Sequence, residues 1–218
     1  MVTIDRDALR DHVERERLVA IIRGTDVEAT VASALTLFAE GVRVLEIPLT
    51  LDGAADAIRE IAAAAPSDAV VGAGTVLTEA QVDASVEAGA QFIVTPSLSA
   101  SVPYAIRNGV GTLPGVYTPT EIRTALDLGA AAVKLFPASV LGPRYLRAVR
   151  EPFPDARIIP VGGVSLDTVE EFFAAGAFAV GVGGPLLGDA PTRGGDQAAL
   201  AERARAFRAA ISSLGLGR

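Results

Sequence analysis

The sequence contains no cysteine, and its 218 residues include a single histidine and a single lysine. A chain without cysteine forms no disulfide, no thiolate metal site and no thiol nucleophile. The histidine, His12, lies in a charged segment near the N-terminus, so a zinc or iron site of the usual imidazole type is excluded as well. We therefore expect chemistry that uses no metal and no other cofactor.

Positive charge is also scarce. The formal net charge is −7, and no run of basic residues stands out that could neutralise phosphates. This balance argues against a nucleic acid or an acidic membrane as partner. The first residues, MVTIDRDALRDHVERER, lack the apolar core of a signal peptide, and no later apolar run is long enough to cross a bilayer. We expect a soluble, cytoplasmic protein.

Short apolar runs alternate along the chain with alanine-rich segments of helical period, a pattern typical of βα units around a parallel sheet. An additional helix is predicted over Asp5–Glu16, and a closing helix over Asp196–Ser212. The sequence thus predicts an α/β fold, a single (β/α)₈ TIM barrel that occupies residues 1–218 and has an extra N-terminal helix. The eight predicted strands are Leu18–Arg23, Val42–Leu49, Ala69–Ala73, Gln91–Thr95, Gly111–Pro114, Ala131–Phe136, Arg157–Val161 and Phe178–Val182.

The single lysine, Lys134, lies inside the sixth predicted strand, in AAVKLFP. The active sites of such barrels lie at the C-terminal ends of the strands, and a charge inside an apolar strand is costly to bury. Every other basic residue is an arginine, which stays protonated and is not a nucleophile, whereas a desolvated lysine can attack a carbonyl. Lys134 is therefore a candidate nucleophile, with a buried structural lysine paired to a carboxylate as the alternative.

Glu46 is the only ionisable group in the apolar stretch of the second predicted strand. A carboxyl group in a partly dry site is suited to general acid–base catalysis. Because alternate strands of a barrel fill the same interior layer, we expect Glu46 and Lys134 to face one another. A simple salt bridge between them is the alternative.

Three further features follow strands. Arg23 ends the first predicted strand, where its forked donors suit a carboxylate or phosphate, although a surface arginine at a loop entry fits equally. Gly162 and Gly163 follow the seventh strand, and Gly183 and Gly184 follow the eighth. Loops at these two positions are where barrels bind phosphate through backbone N–H groups, so the glycines predict a phosphate site; tight turns are the alternative.

Together, the segments VAIIRG, VLEIPLT, VGAGTVLT, QFIVTPSL, LPGVYTPTE, VKLFPAS, LGPRYL and PVGGVSLDTVEEFFAAGA resemble the 2-keto-3-deoxy-6-phosphogluconate (KDPG) aldolase family. This family includes the 4-hydroxy-2-oxoglutarate and 6-phosphogalactonate aldolases. The resemblance implies a metal-independent aldolase, usually homotrimeric, acting on a small keto acid in sugar-acid catabolism. It makes Lys134 the Schiff-base lysine and Glu46 the proton-shuttling glutamate. It also assigns Thr75 to the pyruvyl carboxylate and lines the same pocket with Pro96 and Phe136.

Two departures from the family pattern concern the substrate. Gluconate-type members carry an arginine shortly after the glutamate, but this chain has Thr50 there, and Arg23 can replace it as in the galactonate-type enzymes. The family often has a serine near the last glycine pair, where this chain has Gly184 and Pro185. Phosphate binding would then rest on backbone N–H groups, and 4-hydroxy-2-oxoglutarate, which has no phosphate, remains an alternative substrate.

The expected reaction is cleavage of KDPG or its galactonate epimer to pyruvate and glyceraldehyde 3-phosphate through an imine on Lys134, with Glu46 moving protons. Because a barrel alone implies no activity, two other classes stay open. One is a metal-free phosphosugar isomerase or epimerase with Glu46 as the base, and the other is a barrel that only binds a phosphate ligand or serves as a subunit of an assembly.

Overall fold

The computed structural model describes residues 2–216, which form nine short parallel strands separated by helices. The strands are β1 Leu18–Ile21, β2 Val44–Pro48, β3 Val70–Gly74, β4 Phe92–Val94, β5 Thr112–Leu113, β6 Gly115–Val116, β7 Val133–Leu135, β8 Ile158–Pro160 and β9 Val180–Val182. The helices are α1 Arg6–Glu16, α2 Val27–Ala39, α3 Ala54–Ala64, α4 Glu79–Glu87, α5 Ser101–Arg107, α6 Pro119–Leu128, α7 Ala138–Arg150, α8 Val169–Ala174, α9 Gly184–Leu187 and α10 Gln197–Ser213.

The strands occur where the sequence predicts them, but most are shorter than predicted and one is divided. The predicted fifth strand, Gly111–Pro114, is wrong as a single element, because the chain forms two short strands, β5 and β6, on either side of Pro114. Proline has no backbone N–H to donate to a neighbouring strand, which accounts for the interruption. The first strand is also shorter than predicted, so Arg23 lies two residues beyond the end of β1.

The parallel strands form a curled sheet in two parts. Six strands pair in the order β5-β4-β3-β2-β1-β9, and three pair in the order β6-β7-β8. Backbone hydrogen bonds link the two parts. Phe178 N donates to Ile158 O at 2.9 Å, Ala131 N donates to Thr112 O at 3.0 Å, and a parallel bridge joins Val161 to Gly181. All carboxyl ends of the strands therefore meet at one edge.

Alternation along the strands separates two apolar clusters. The outward side chains, such as Leu45 and Ile47 of β2, pack against the surrounding helices in the larger cluster. Val44, on the opposite face of β2, belongs to a smaller cluster inside the curl, which also contains Leu9 and Val13 of α1. Both α1 residues are fully buried, so this helix covers one end of the interior.

Capping residues mark the ends of several helices. Asp5 caps α1 by accepting hydrogen bonds from the N–H groups of Asp7 and Ala8. Gly129 ends α6 in the left-handed conformation with φ 93°, which glycine adopts without steric cost. Helix α7 contains a break at Gly142, which precedes Pro143 and divides it into a short first segment and a longer second one. The two helices predicted from the sequence, over Asp5–Glu16 and Asp196–Ser212, agree with α1 and α10 to within one residue at each end.

Candidate active site

Lys134 and Glu46 lie together inside the curled sheet. Nζ of Lys134 is 3.7 Å from Oε1 of Glu46, and their side chains are only 9% and 2% exposed. Lys134 is the middle residue of β7, with Gly115 of β6 and Ile159 of β8 as its paired neighbours, and Glu46 is the middle residue of β2. The sheet thus holds a lysine and a carboxyl group in a position that solvent hardly reaches.

The surroundings of this pair are almost entirely apolar. A small interior cavity of about 10 Å³, room for about one water molecule, is lined by both charged side chains. The remaining lining residues are Val19, Ile21, Val94, Leu113, Ile159, Val161 and Gly181. Nζ of Lys134 also lies 5.4 Å from the centre of the Phe136 ring, which is 36% exposed and follows β7. The amine therefore lies at the junction between the dry interior and the open edge.

Burial raises the pKa of the Glu46 carboxyl above its ordinary value of 4.5, and the charges of Lys134 and, less strongly, Arg23 oppose this rise. The second carboxyl oxygen, Oε2, has no hydrogen-bond partner among residues 2–216. It lies against Gly74, where a Cβ atom would overlap it. A carboxyl group whose pKa is raised by burial gives up a proton less readily as an acid and takes one up more readily as a base, which suits a general acid–base group.

Arg23 and Thr75 lie at the edge formed by the carboxyl ends of the strands. The Arg23 side chain is exposed and, within the described part of the chain, makes neither a hydrogen bond nor an ion pair, although its charge acts on Glu46. Thr75 follows β3 directly and is half-buried, with φ 58°. That left-handed conformation is uncommon for a residue other than glycine and is associated with functional sites. An unpaired guanidinium and a hydroxyl at this edge suit a carboxylate ligand.

Pro96 and Phe136 stand on the same side as the lysine. Pro96 follows β4 and is half-buried, and its carbonyl group lies where a Cβ atom of Gly115 would be. Gly115 is paired with Lys134, so Pro96 lies against the strand next to the one that carries the lysine. Phe136 is joined to Pro137 by a cis peptide bond.

The two glycine pairs lie side by side. Val161 and Gly181 form a parallel bridge. Gly163 follows Val161 by two residues and Gly183 follows Gly181 by two residues, so both glycines lie just beyond neighbouring strands. Within residues 2–216, the N–H groups of Gly163, Gly183 and Gly184 have no hydrogen-bond acceptor. Gly184 begins α9, and Pro185 is the second residue of that helix. These free N–H groups can donate to an anion.

Sequence reasoning missed two residues of this region, Gly74 and Ser139. Gly74 belongs to the GAGT motif, but only the pairing of β2 with β3 reveals that it faces Glu46. Ser139 follows the lysine in KLFPAS, and only the structure reveals that it packs on Gly163. A glycine in a buried strand could have signalled the first contact, since such glycines mark a close approach.

Within residues 2–216, no group of three carboxylate or imidazole side chains lies close enough to hold a metal ion. None of the helices in this range is long and apolar enough to cross a bilayer.

The family model for KDPG and KHG aldolases matches residues 9–202 of the chain. The 2-dehydro-3-deoxy-6-phosphogalactonate aldolase of Escherichia coli is 36% identical over 198 residues, which cover 89% of this chain and 96% of that one. The KHG/KDPG aldolase of the same organism is 39% identical over 159 residues, 72% of this chain and 74% of that one.

A solved KDPG aldolase from Legionella pneumophila, with pyruvate captured as a covalent carbinolamine, superimposes with a TM-score of 0.83 at 26% identity. The match covers 90% of this chain and 96% of that one. The likeness therefore extends over nearly the whole fold and includes both strands that carry the buried pair. On this evidence the chain belongs to the KDPG and KHG aldolase family.

Proposed function

We propose that this chain is a class I aldolase that reversibly cleaves 2-keto-3-deoxy-6-phosphogalactonate, or its gluconate epimer, to pyruvate and glyceraldehyde 3-phosphate. The observation that carries the proposal is the 3.7 Å approach of the only lysine to a buried glutamate at the carboxyl-terminal edge of the sheet. The names of relatives in both the galactonate and the gluconate branch support this substrate class.

Lys134 is the nucleophile in this proposal. Its uncharged amine adds to the C2 ketone and gives a carbinolamine, the species captured with pyruvate in the Legionella pneumophila enzyme. Loss of water converts the carbinolamine to an iminium ion, which accepts the electron pair of the C3–C4 bond as that bond breaks.

Glu46 is the acid–base group. As a carboxylate it takes the proton of the C4 hydroxyl, directly or through one water, while the C3–C4 bond breaks and the aldehyde forms. The same proton then passes to C3 of the enamine and gives the pyruvate iminium, which water hydrolyses to pyruvate and free Lys134. Burial supports this cycle because a carboxyl whose pKa is raised takes up a proton more readily.

The other predicted residues hold the substrate. Arg23 and Thr75 would bind its carboxylate, the first as a charged donor and the second through its hydroxyl. Pro96 and Phe136 would line the apolar side of the pyruvyl group. The two glycine pairs, Gly162–Gly163 and Gly183–Gly184, would bind the phosphate at the far end of the substrate, through the free N–H groups of Gly163, Gly183 and Gly184.

We also propose that the curled sheet closes as a full (β/α)₈ barrel, with β5 and β6 together as one strand and α1 as the extra N-terminal helix. The bridge from Val161 to Gly181 and the hydrogen bond from Phe178 to Ile158 support closure between β8 and β9. A homotrimer in the cytoplasm is part of the same proposal and rests on the family resemblance.

The test is reductive trapping. Incubation with pyruvate and borohydride should add one reduced pyruvyl group to the protein, and peptide mapping should locate it on Lys134. Lys134→Ala should gain no mass and should not cleave either epimer. A wild-type protein of unchanged mass would overturn the proposal and favour a phosphosugar isomerase or epimerase, which uses Glu46 without an imine.

The substrate itself is identified by comparing kcat/KM for the two phosphorylated epimers with that for 4-hydroxy-2-oxoglutarate. Preference for the last compound would replace the phosphorylated substrate with the shorter one, whose cleavage gives pyruvate and glyoxylate.

A further inference from the structure

Ser139 lies beside the proposed phosphate-binding loops and has an unused hydroxyl group. It is the second residue of α7, it is exposed, and its side chain has no hydrogen-bond partner among residues 2–216. No step of the mechanism above involves it. The hydroxyl is therefore available to a ligand.

The position of Ser139 follows from a close contact with Gly163. A Cβ atom on Gly163 would lie 2.5 Å from Cβ and 2.8 Å from Cα of Ser139, closer than carbon atoms pack. The neighbouring Gly162 contacts the chain before Ser139 in the same way, since its Cβ atom would lie 3.3 Å from the Phe136 ring. The first turn of α7 thus lies directly against the Gly162–Gly163 turn.

Strand order places two other features around that turn. The strand that leads to it, β8, is flanked by β7 on one side and bridged to β9 on the other. Ser139, which follows β7, and Gly183, which follows β9, therefore stand on the two sides of the Gly162–Gly163 turn. A phosphate bound by the N–H groups of Gly163 and Gly183 would lie beside the turn against which Ser139 packs.

The loop after β9 has no side-chain donor of its own at this point. Gly184 has no side chain and Pro185 has no N–H, so a phosphate there would receive only backbone hydrogen bonds from these two residues. We propose that Ser139 is a specificity residue that donates a hydrogen bond to the substrate's phosphate and supplies the hydroxyl that Gly184 lacks. This inference rests on the aldolase function proposed above.

The experiment compares the phosphorylated 2-keto-3-deoxy acid that the wild type cleaves faster with the same acid without its phosphate. Ser139→Ala should lower kcat/KM for the phosphorylated acid about tenfold, mostly through KM, as expected for one hydrogen bond to a charged group. It should change kcat/KM for the acid without phosphate less than about twofold, since the lost partner is absent. Ser67→Ala removes another exposed serine, which has no hydrogen-bond partner among the described residues and lies before β3 at the amino-terminal edge, and it should change neither value.

A second variant tests whether the lost hydroxyl group, rather than a change in the size of the Ser139 side chain, causes the effect. A Cβ atom on Gly184 meets no atom within 4 Å, so Gly184→Ser fits and presents a hydroxyl to the same loop. Introduced into Ser139→Ala, it should restore most of the lost kcat/KM for the phosphorylated acid. Failure to restore any of it would count against a hydrogen-bonding role.

Equal losses on both acids, or no loss on the phosphorylated one, would overturn the role of Ser139. A wild type that cleaves both acids equally well would also overturn it. These outcomes are distinguishable from failure of the aldolase proposal, because borohydride trapping of pyruvate on the wild type does not depend on Ser139.

Discussion

Oε2 of Glu46 lies against the Cα of Gly74, in space that any side chain at Gly74 would occupy. The two residues are on paired strands, with Pro48 opposite Gly74 and Glu46 opposite Gly72. The oxygen has no hydrogen-bond partner in the described chain, so the absence of a side chain on Gly74 is what admits the carboxyl group to this position. Gly74 therefore positions the carboxyl group of Glu46, which is proposed above as the acid–base group.

Gly74→Ala should displace the Glu46 carboxyl and slow the reaction about a hundredfold, the lower range for loss of a general acid–base. Lys134 is on another strand, so the variant should still form the pyruvate imine. The measurement is the rate of C3 proton exchange of pyruvate in deuterium oxide, together with borohydride trapping. Unchanged exchange would show that the carboxyl group tolerates the added methyl group.

Glu46→Gln removes the proton acceptor but keeps the size of the side chain. Cleavage and C3 proton exchange should both slow by about 10²- to 10⁴-fold. Pyruvate should still be trapped on Lys134 by borohydride, because attack by the amine does not use the carboxyl group. Normal turnover in this variant would assign the proton transfers to another group.

Arg23→Gln should move the acid limb of the kcat/KM profile to higher pH. The positive charge of Arg23 lowers the pKa of Glu46, whereas burial raises it, so removing the charge raises the pKa further. The carboxylate is the base, and a higher pKa means that it is lost at a higher pH as the solution is acidified. KM should rise as well, since Arg23 is proposed to bind the substrate carboxylate.

The matched control for that profile is Arg193→Gln. Arg193 is also an exposed arginine, but its guanidinium pairs with Asp26 at 3.4 Å rather than acting on Glu46. Its profile should coincide with that of the wild type. An acid limb that moves in both variants would trace the effect to net charge rather than to Arg23.

Leu9→Ala should lower the free energy of unfolding by about 2–5 kcal/mol, the usual range for a buried leucine. Leu9 is fully buried in the cluster inside the curled sheet, so the substitution leaves a cavity there. Urea unfolding measures the change. Asp11→Ala on the exposed face of the same helix should stay within about 0.5 kcal/mol of the wild type.

The sequence alone was enough to predict the strands and the buried pair. A charged residue inside an apolar strand can be recognised from the sequence alone, and Lys134 and Glu46 were identified in that way. The split of the fifth strand was missed because four apolar or small residues ending in proline read as one run. The extent of β1 was overestimated because Arg23 follows the apolar residues without a turn signal.

Contacts between loops could not be predicted from the sequence. Ser139 and Gly163 are 24 positions apart, and their contact depends on how two successive βα connections pack at the edge of the sheet. The same holds for Gly74, whose role depends on the register between β2 and β3. Periodicity locates strands, but it does not specify which side chain lies against which backbone.

The cover that α1 provides over the amino-terminal end has a kinetic consequence. Leu9 and Val13 fill the amino-terminal end of the curled sheet. A substrate bound at Lys134 would therefore enter, and its products leave, through the opening at the carboxyl-terminal edge. In the proposed mechanism the aldehyde leaves before the pyruvate iminium is hydrolysed, so pyruvate would leave last through the same opening. In the synthetic direction pyruvate would bind before the aldehyde. Excess aldehyde should therefore inhibit synthesis by occupying the opening before pyruvate has bound.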